Sequence, residues 1–330
     1  MSYTHLSLEE RHYIEVEIKR GVSHNMIGKV LQRSQATISR EVARNAGRRG
    51  YRHKQANEMA GKRHINKAKS IKLTEPVKNL IKRWIEQDWS PEQVAGRLKS
   101  EGIIKIHHET IYQYILANKR MGGALYTHLR HQKKTYRKRY GSAHNRTGIK
   151  NRVDIDERPE VANNRERIGD WEADTIIGKN HKGAIVTLDD RKSKLRLAAP
   201  LKGKHAALLT STLIRLLKPI KKYVHTMTFD NGKEFAFHDE ISKALKCKAY
   251  FAKPYHSWER GQNENANGLL RQYFPKTMEL LDVNMQQVMA AIDRLNSRPR
   301  KCLGYRTPYE AFFEATGTDV KKLMGYALTT

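Results

Sequence analysis

The chain has 330 residues, with 63 Lys and Arg against 34 Asp and Glu and a formal charge of +29, so it is long enough for two or three domains and calls for a polyanionic partner. Only Cys247 and Cys302 are present, which excludes a disulfide framework or a Cys-rich zinc site and suits a reducing cytosol. No apolar run approaches ~18 residues and there is no secretory signal, so no membrane span is expected. The basic excess is uneven: residues 1–150 carry 32 basic and 12 acidic side chains, and 151–330 carry 31 and 22. The first half reads as the main DNA-holding half, the second as a core with carboxylates to spare.

Ser7-Leu8-Glu9-Glu10 is an S-x-x-E capping box opening a helix with Ile14 and Ile18 inward. Ser23 caps a second helix and Ser34 a third, which holds Ile38 and Val42. Two short helices joined by a tight turn, the latter ending basic, read as a helix-turn-helix over residues 1–48. A rotation of ~100° per residue puts Ala36, Thr37, Arg40 and Arg44 on the far face of the third helix, where groove-facing residues belong. Residues 42–57 and 59–74 hold no acid; 49–75 reads as a basic linker that tracks phosphates or is simply solvated.

Helical periodicity resumes at Pro76 with Val77, Leu80, Ile81, Trp84 and Ile85, and Ser90-Pro91-Glu92-Gln93 is another capping box. After a short β-like Ile103–Ile106, a helix over His108–Asn118 completes a second helix-turn-helix-like domain over 76–120, with Thr110, Gln113 and Ala117 outward. From Thr110 to Val153 there is no Asp or Glu and there are eleven Lys or Arg, densest around Lys133, Lys134, Arg137, Lys138 and Arg139. Residues 121–165 are expected to be a second basic linker in contact with DNA.

The core, 166–315, begins with three strand candidates, Trp171–Ile177, Ala184–Leu188 and Lys194–Ala199, with Asp189–Ser193 as a polar turn. A helix over Lys204–Leu217, a strand His225–Phe229, a helix near Glu234–Leu245, a strand Lys248–Ala252 and a helix bearing Glu264 follow. A helix opened by Asn284 and another capped by Thr307 come next, and 316–330 reads as a tail.

Asp230 stops the strand His225–Phe229 at its C-terminal end, where ligand-binding groups collect in α/β sheets. Glu264 lies early on a later helix, with Arg271 two turns on along the same face. Asp174 sits inside an apolar strand-like run, where a carboxylate needs a partner or a metal. Three carboxylates so placed suit metal ions working on a phosphodiester. Glu172, on the same strand face, reads as a surface carboxylate or an accessory ligand. Asp189 is accounted for by bonding to its own turn, and Glu234 by the dipole of the helix it opens. Trp258 and Asn263 either meet DNA beside Glu264 or build the helix start.

The pattern Asp174…Asp230…Glu264, with 33 residues in the second gap, resembles the DDE transposases and retroviral integrases. The words D-W-E-A-D, D-D-R-K-S, F-D-N-G-K-E-F, W-E-R-G-Q-N-E-N-A-N-G-L-L-R-Q-Y-F-P-K and L-N-S-R-P-R-K, with S-x-x-T-I-S-R-E-V-x-R-N and S-P-E-Q-V-A-G-R-L upstream, are similar to the bacterial insertion-sequence family numbered thirty over nearly the whole chain. That resemblance implies an α/β ribonuclease-H-like catalytic core preceded by an all-α helix-turn-helix DNA-binding region. It further implies that Asp174 and Asp230 are direct metal ligands, that Glu264 holds a second ion, and that Arg271 meets phosphate or DNA near the cut. The cofactor implied is Mg²⁺, two ions per site, with Mn²⁺ able to substitute. The partners are double-stranded DNA (terminal inverted repeats and target) and further copies of the chain, in a bacterial cytoplasm at the nucleoid. The alternative is a DNA-binding repressor built on an inactive core of the same kind. Asn296 to Lys301 is a further candidate phosphate contact. Retroviral integrases carry an N-terminal His/Cys zinc module, which this chain lacks.

Overall fold

The computed structural model describes residues 5–66, 72–130, 149, 151–203, 205–253 and 261–327, the side chains of 324–327 apart. It divides into two compact units, Met1–Ile71 and Lys72–Thr330.

The first unit contains α1 (Leu8–Lys19), α2 (His24–Val30) and α3 (Gln35–Asn45). Each begins at the expected serine: Glu10 N donates to Ser7 Oγ at 3.1 Å, Met26 N to Ser23 Oγ at 3.4 Å and Thr37 N to Ser34 Oγ at 3.2 Å. Such caps are worth about 1 kcal/mol each. One isoleucine from each helix, Ile14, Ile27 and Ile38, is fully buried where the three meet.

The stretch 49–75, expected as a linker, is largely structured. A two-residue ribbon pairs β1 (Ala46–Gly47) with β2 (Gly50–Tyr51), and α4 (His53–Asn66) packs back on α1 and α3. Its apolar pattern is silent because Ala56 is its one buried residue among those described. Polar bonds hold it instead: His53 N donates to Glu15 Oε2 at 2.7 Å, Arg11 Nη1 to Asn57 Oδ1 at 3.0 Å and Arg63 Nη1 to the Arg44 carbonyl at 3.1 Å. Hydrogen bonds from Lys19 and His53 pull Glu15 down to about 2.

The second unit opens with α5 (Glu75–Glu86), α6 (Pro91–Ser100) and α7 (His108–Arg120) around Ile81, Ile85, Val94, Leu98, Ile111 and Ile115. The stretch Ile103–Ile106 makes no strand. These helices are docked on the core. Asp88, between α5 and α6 with φ 63°, accepts from Tyr273 Oη at 2.8 Å, Arg294 at 2.9 Å and His128 Nδ1 at 3.0 Å. Arg97 grips the Glu310 carboxylate with two bonds of 2.7 Å.

Both flanks of the second expected linker, 121–165, are also built in. Leu125 is buried under α5 and α7, Ile155 is buried beside the sheet, and Arg158 donates to Thr228 Oγ1 at 3.1 Å. A short α8 (Glu160–Asn163) follows. Lys133, Lys134, Arg137, Lys138 and Arg139 lie outside the described residues.

The core sheet comprises β3 (Asp170–Ile177), β4 (Ala184–Asp190), β5 (Arg196–Leu201), β6 (Thr226–Phe229) and β7 (Lys248–Phe251), in the order β5-β4-β3-β6-β7. The first three form an antiparallel meander, and β6 and β7 run parallel to β3. Parallel neighbours require crossovers, supplied by α9 (Ala206–Leu217) and α10 (His238–Leu245). That order and sense are those of a ribonuclease-H-like sheet. One face packs Trp171, Ala173, Val186 and Leu188 against α9 and α10. The other meets α11 (Gly261–Leu270) and α12 (Met285–Asn296) through Ile176, Ile185, Leu270, Val288 and Ile292. Beyond α13 (Pro308–Thr316), the expected tail 316–330 contains α14 (Val320–Ala327), whose Val320 is buried in the core. One apolar anchor after a helix break leaves little periodicity to read.

Candidate active site

In the β3–β6 pairing Glu172 lies beside Thr228. Two residues further along each chain come Asp174 and Asp230, the second being the first residue past β6. Parallel strands in register point such pairs to the same face, so Asp174, inside β3, and Asp230, just past the C-terminal end of β6, lie toward one face of the sheet.

Asp174 is held by its surroundings. Its Oδ1 accepts from Thr175 N and its Oδ2 from Asn267 Nδ2 on α11, both at 2.8 Å. Asn267 Oδ1 in turn accepts from Thr187 Oγ1 at 3.3 Å and Arg196 Nη2 at 3.0 Å. Glu264 is exposed in the first turn of α11, three residues before Asn267 and so about one turn away on neighbouring positions of the helix.

Asp230 Oδ1 accepts from Gly232 N at 2.8 Å, and Asn231 Nδ2 donates to the Ala252 carbonyl at 2.7 Å. A Cβ at Gly232 would lie 2.6 Å from the Glu234 carboxyl and 2.8 Å from Asp230 Oδ1, so a side chain there would displace one or both carboxylates. Glu234 accepts from Thr175 Oγ1 at 3.2 Å. It stands in the 3-10 turn Lys233–Phe235, before α10 begins at His238. Its expected post on a helix dipole is thus corrected to one beside Asp230 and Thr175 of β3.

Two other carboxylates are also corrected. Glu172 is buried, not superficial, and ion-paired with buried Arg191. Asp189 belongs to β4, where Arg196 Nε binds its Oδ1 at 2.7 Å. The residue that fastens the D-D-R-K-S turn is Asp190, which accepts from Gly169 N and Ser193 N at 2.7 Å each. Burial pushes the Asp190 carboxyl up against those bonds.

Arg271 is half-buried just past the end of α11. Its Nη2 donates to the Ile177 carbonyl at 2.8 Å and its Nη1 to that of Phe274 at 3.3 Å, so it caps the end of β3 instead of extending toward DNA. Within Asn296–Lys301, Asn296 exchanges two bonds with the Arg196 backbone and Arg298 is buried beside Asp88 and Tyr273. That leaves Arg300 and the exposed Lys301 as candidates. Trp258 lies outside the described residues.

On the helical elements, Arg40 and Arg44 are exposed on α3, while Thr37 Oγ1 is paired with Ser34 Oγ at 2.9 Å. On α7, Gln113 is exposed and bonded to Glu109, and Thr110 is partly buried.

A donor set made only of carboxylates matches a hard oxygen-seeking cation. Among the described residues no three His, Cys, Asp or Glu side chains stand close enough to hold one as they are placed. Asp174 would have to exchange its Asn267 bond, and Glu264 to turn inward.

Residues 2–45 match the helix-turn-helix domain family. The chain is 44% identical over 310 residues to the transposase of IS4351 from Bacteroides fragilis, a match spanning 93% of this chain and 95% of that one. It is 35% identical to the transposase InsI of IS30A from Escherichia coli, over 93% and 82% of the two chains. It is 30% identical to the transposase of IS1086 from Cupriavidus metallidurans, over 97% and 98%. Among solved structures, the catalytic core domain of BIV integrase covers 44% of this chain and 95% of its own, with 24% identity and a TM-score of 0.35; the fold is assigned on strand order, not on that match.

Proposed function

The chain belongs to the family of insertion-sequence transposases that includes those of IS4351 and IS30, and on that premise we propose that Asp174, Asp230 and Glu264 form its metal-dependent cutting and joining site. The observation that supports this is the β3–β6 register, which pairs Glu172 with Thr228; two residues on come Asp174, inside β3 and bonded to α11, and Asp230, just past β6.

Asp174 would hold divalent cations from within β3 and Asp230 from the end of β6, and Glu264 would close on them from the helix. Mg²⁺, or Mn²⁺ in its place, would polarise the phosphodiester and activate the attacking water or 3′-hydroxyl when bound, two ions dividing the task. The protein's own part is placement. Thr175 N and Asn267 orient Asp174, the turn at Gly232 orients Asp230, and α11 carries Glu264 one turn from the Asn267 that binds Asp174. Glu234 is near enough to add a fourth carboxylate. DNA would be gripped through the helix-turn-helix, with Arg40 on the outer face of α3 reading a base edge in the terminal repeats and Arg44 meeting phosphate. Thr110 and Gln113 on α7 would add contacts, and copies of the chain would pair two ends.

The test is a set of charge-removing isosteres. Asp174→Asn, Asp230→Asn and Glu264→Gln should each bind repeat DNA in chelator at least as well as the unaltered chain and lose Mg²⁺-dependent cleavage and strand transfer. Persistent cutting by any of the three would remove that residue from the site. An unaltered chain that binds repeats yet never cuts would be a repressor.

A further inference from the structure

On the flank of α11 turned away from Glu264 lies a cavity of about 310 Å³ lined by four cations, Arg165, Lys194, Arg196 and Arg300, against one carboxylate, Asp189. Gln262, Asn265, Ala266 and Leu269 form its helical wall, roughly 100–200° around the helix from Glu264 at ~100° per residue.

The charge there is out of balance. Asp189 is committed to Arg196 through Nε and Nη2, and the remaining nitrogen, Nη1, is buried without a partner among the described residues. Among the described residues the Arg300 side chain makes one bond, from Nη2 to the Leu295 carbonyl at 2.9 Å; burial, with Arg298 and Arg196 beside it, lowers it to about 10. Burial and the nearby Arg165 lower Lys194 to about 8. Cations that destabilise one another in a cleft are relieved by an anion. The cavity also includes Gly261, the first residue of α11, at the helix end whose dipole favours negative charge. Lys194 Nζ is already fixed at that end, donating to Gln262 Oε1 at 2.6 Å.

We propose that this cavity seats a phosphate of the DNA backbone, with Lys194 and Arg300 as its principal donors. It rests on the transposase reading above. The helix bearing Glu264 would then be clamped on its far side by the DNA it helps to cut. Cutting would be coupled to occupancy through the helix that carries Glu264.

Binding of the full chain to duplex DNA, without metal, is followed across a salt titration. Each neutralised phosphate contributes about −0.9 to the slope of log affinity against log salt. Lys194→Gln and Arg300→Gln should each flatten that slope by about 0.9, and Lys194→Arg should restore it. Unchanged slopes in folded variants overturn the assignment. Lysine acetylation of the unaltered chain tests it without substitution: Lys194 should label in free protein and be protected by DNA, but not by inorganic phosphate at matched ionic strength. Equal labelling with and without DNA sinks the proposal. Equal protection by inorganic phosphate makes the cavity a free-anion site and also rejects it. Neither measurement uses the carboxylates or metal, so failure here is separable from failure of the Asp174, Asp230 and Glu264 assignment.

Discussion

Asn267 Nδ2 donates to Asp174 Oδ2 over 2.8 Å, joining α11 to β3 one helical turn after Glu264. Both Asn267 atoms are used, since its Oδ1 takes Thr187 and Arg196. The amide therefore sets both the rotamer of one carboxylate and the height of the helix that carries another.

Asn267→Ala should lower Mg²⁺-dependent cleavage by about 10–100-fold, the usual cost of losing a group that orients a metal ligand. DNA binding in chelator should be unchanged. The distinguishing readout is a metal titration, in which half-maximal activity should need more Mg²⁺. An unchanged metal requirement would reduce Asn267 to packing.

Glu172→Gln and Asp189→Asn should fail for a different reason than Asp174→Asn. Each leaves a buried arginine without its counter-charge, Arg191 in one case and Arg196 in the other, at about 3–5 kcal/mol. Urea unfolding should show this loss for both, and little for Asp174→Asn. If Glu172→Gln proves fully stable yet inactive, Glu172 belongs among the ligands.

Asp88 should make the docking of α5–α7 on the core sensitive to acid. Burial acts to raise its carboxyl, but hydrogen bonds from His128, Tyr273 and Arg294 and the charge of Arg298 outweigh it and leave it below the ordinary value. A depressed carboxylate contributes stability above its unfolded value, near 4, and loses it as pH falls through the folded one. Asp88→Asn also tolerates the left-handed backbone at φ 63°. The variant should melt below the unaltered chain at neutral pH, and the gap should narrow below pH ~4. A gap independent of pH would mean the charge contributes nothing.

Arg40→Ala should weaken binding to the cognate repeat by ~1–3 kcal/mol and binding to random DNA much less, if Arg40 reads a guanine edge. Competition gel shifts on the two DNAs separate the cases. An equal loss on both makes Arg40 a phosphate contact.

The sequence by itself determined the helices opened by Ser7, Ser23, Ser34 and Ser90, because a serine N-cap, extended to a capping box at Ser7 and Ser90, is complete within four residues and needs no distant partner. It also determined the strands of the sheet and the placement of Asp174 inside one and Asp230 at the end of another, since apolar runs and turn residues are local signals. Tertiary structure alone decided what each charge meets. That Glu172 and Asp174 share a strand face follows from a period of two, but that Arg191 covers one and Asn267 the other depends on β4, its turn and α11 folding over that face. The exchange of roles between Asp189 and Asp190 turns on the extension of β4 from Leu188 to Asp190, where successive side chains point to opposite faces. Glu234 and α4 went unread for the same reason: the groups that hold them, Thr175 for the first and Glu15, Arg11 and Asn45 for the second, lie 18 to 59 residues away in the chain. Ionic and amide partners are chosen by proximity in the folded state, and no local periodicity encodes them.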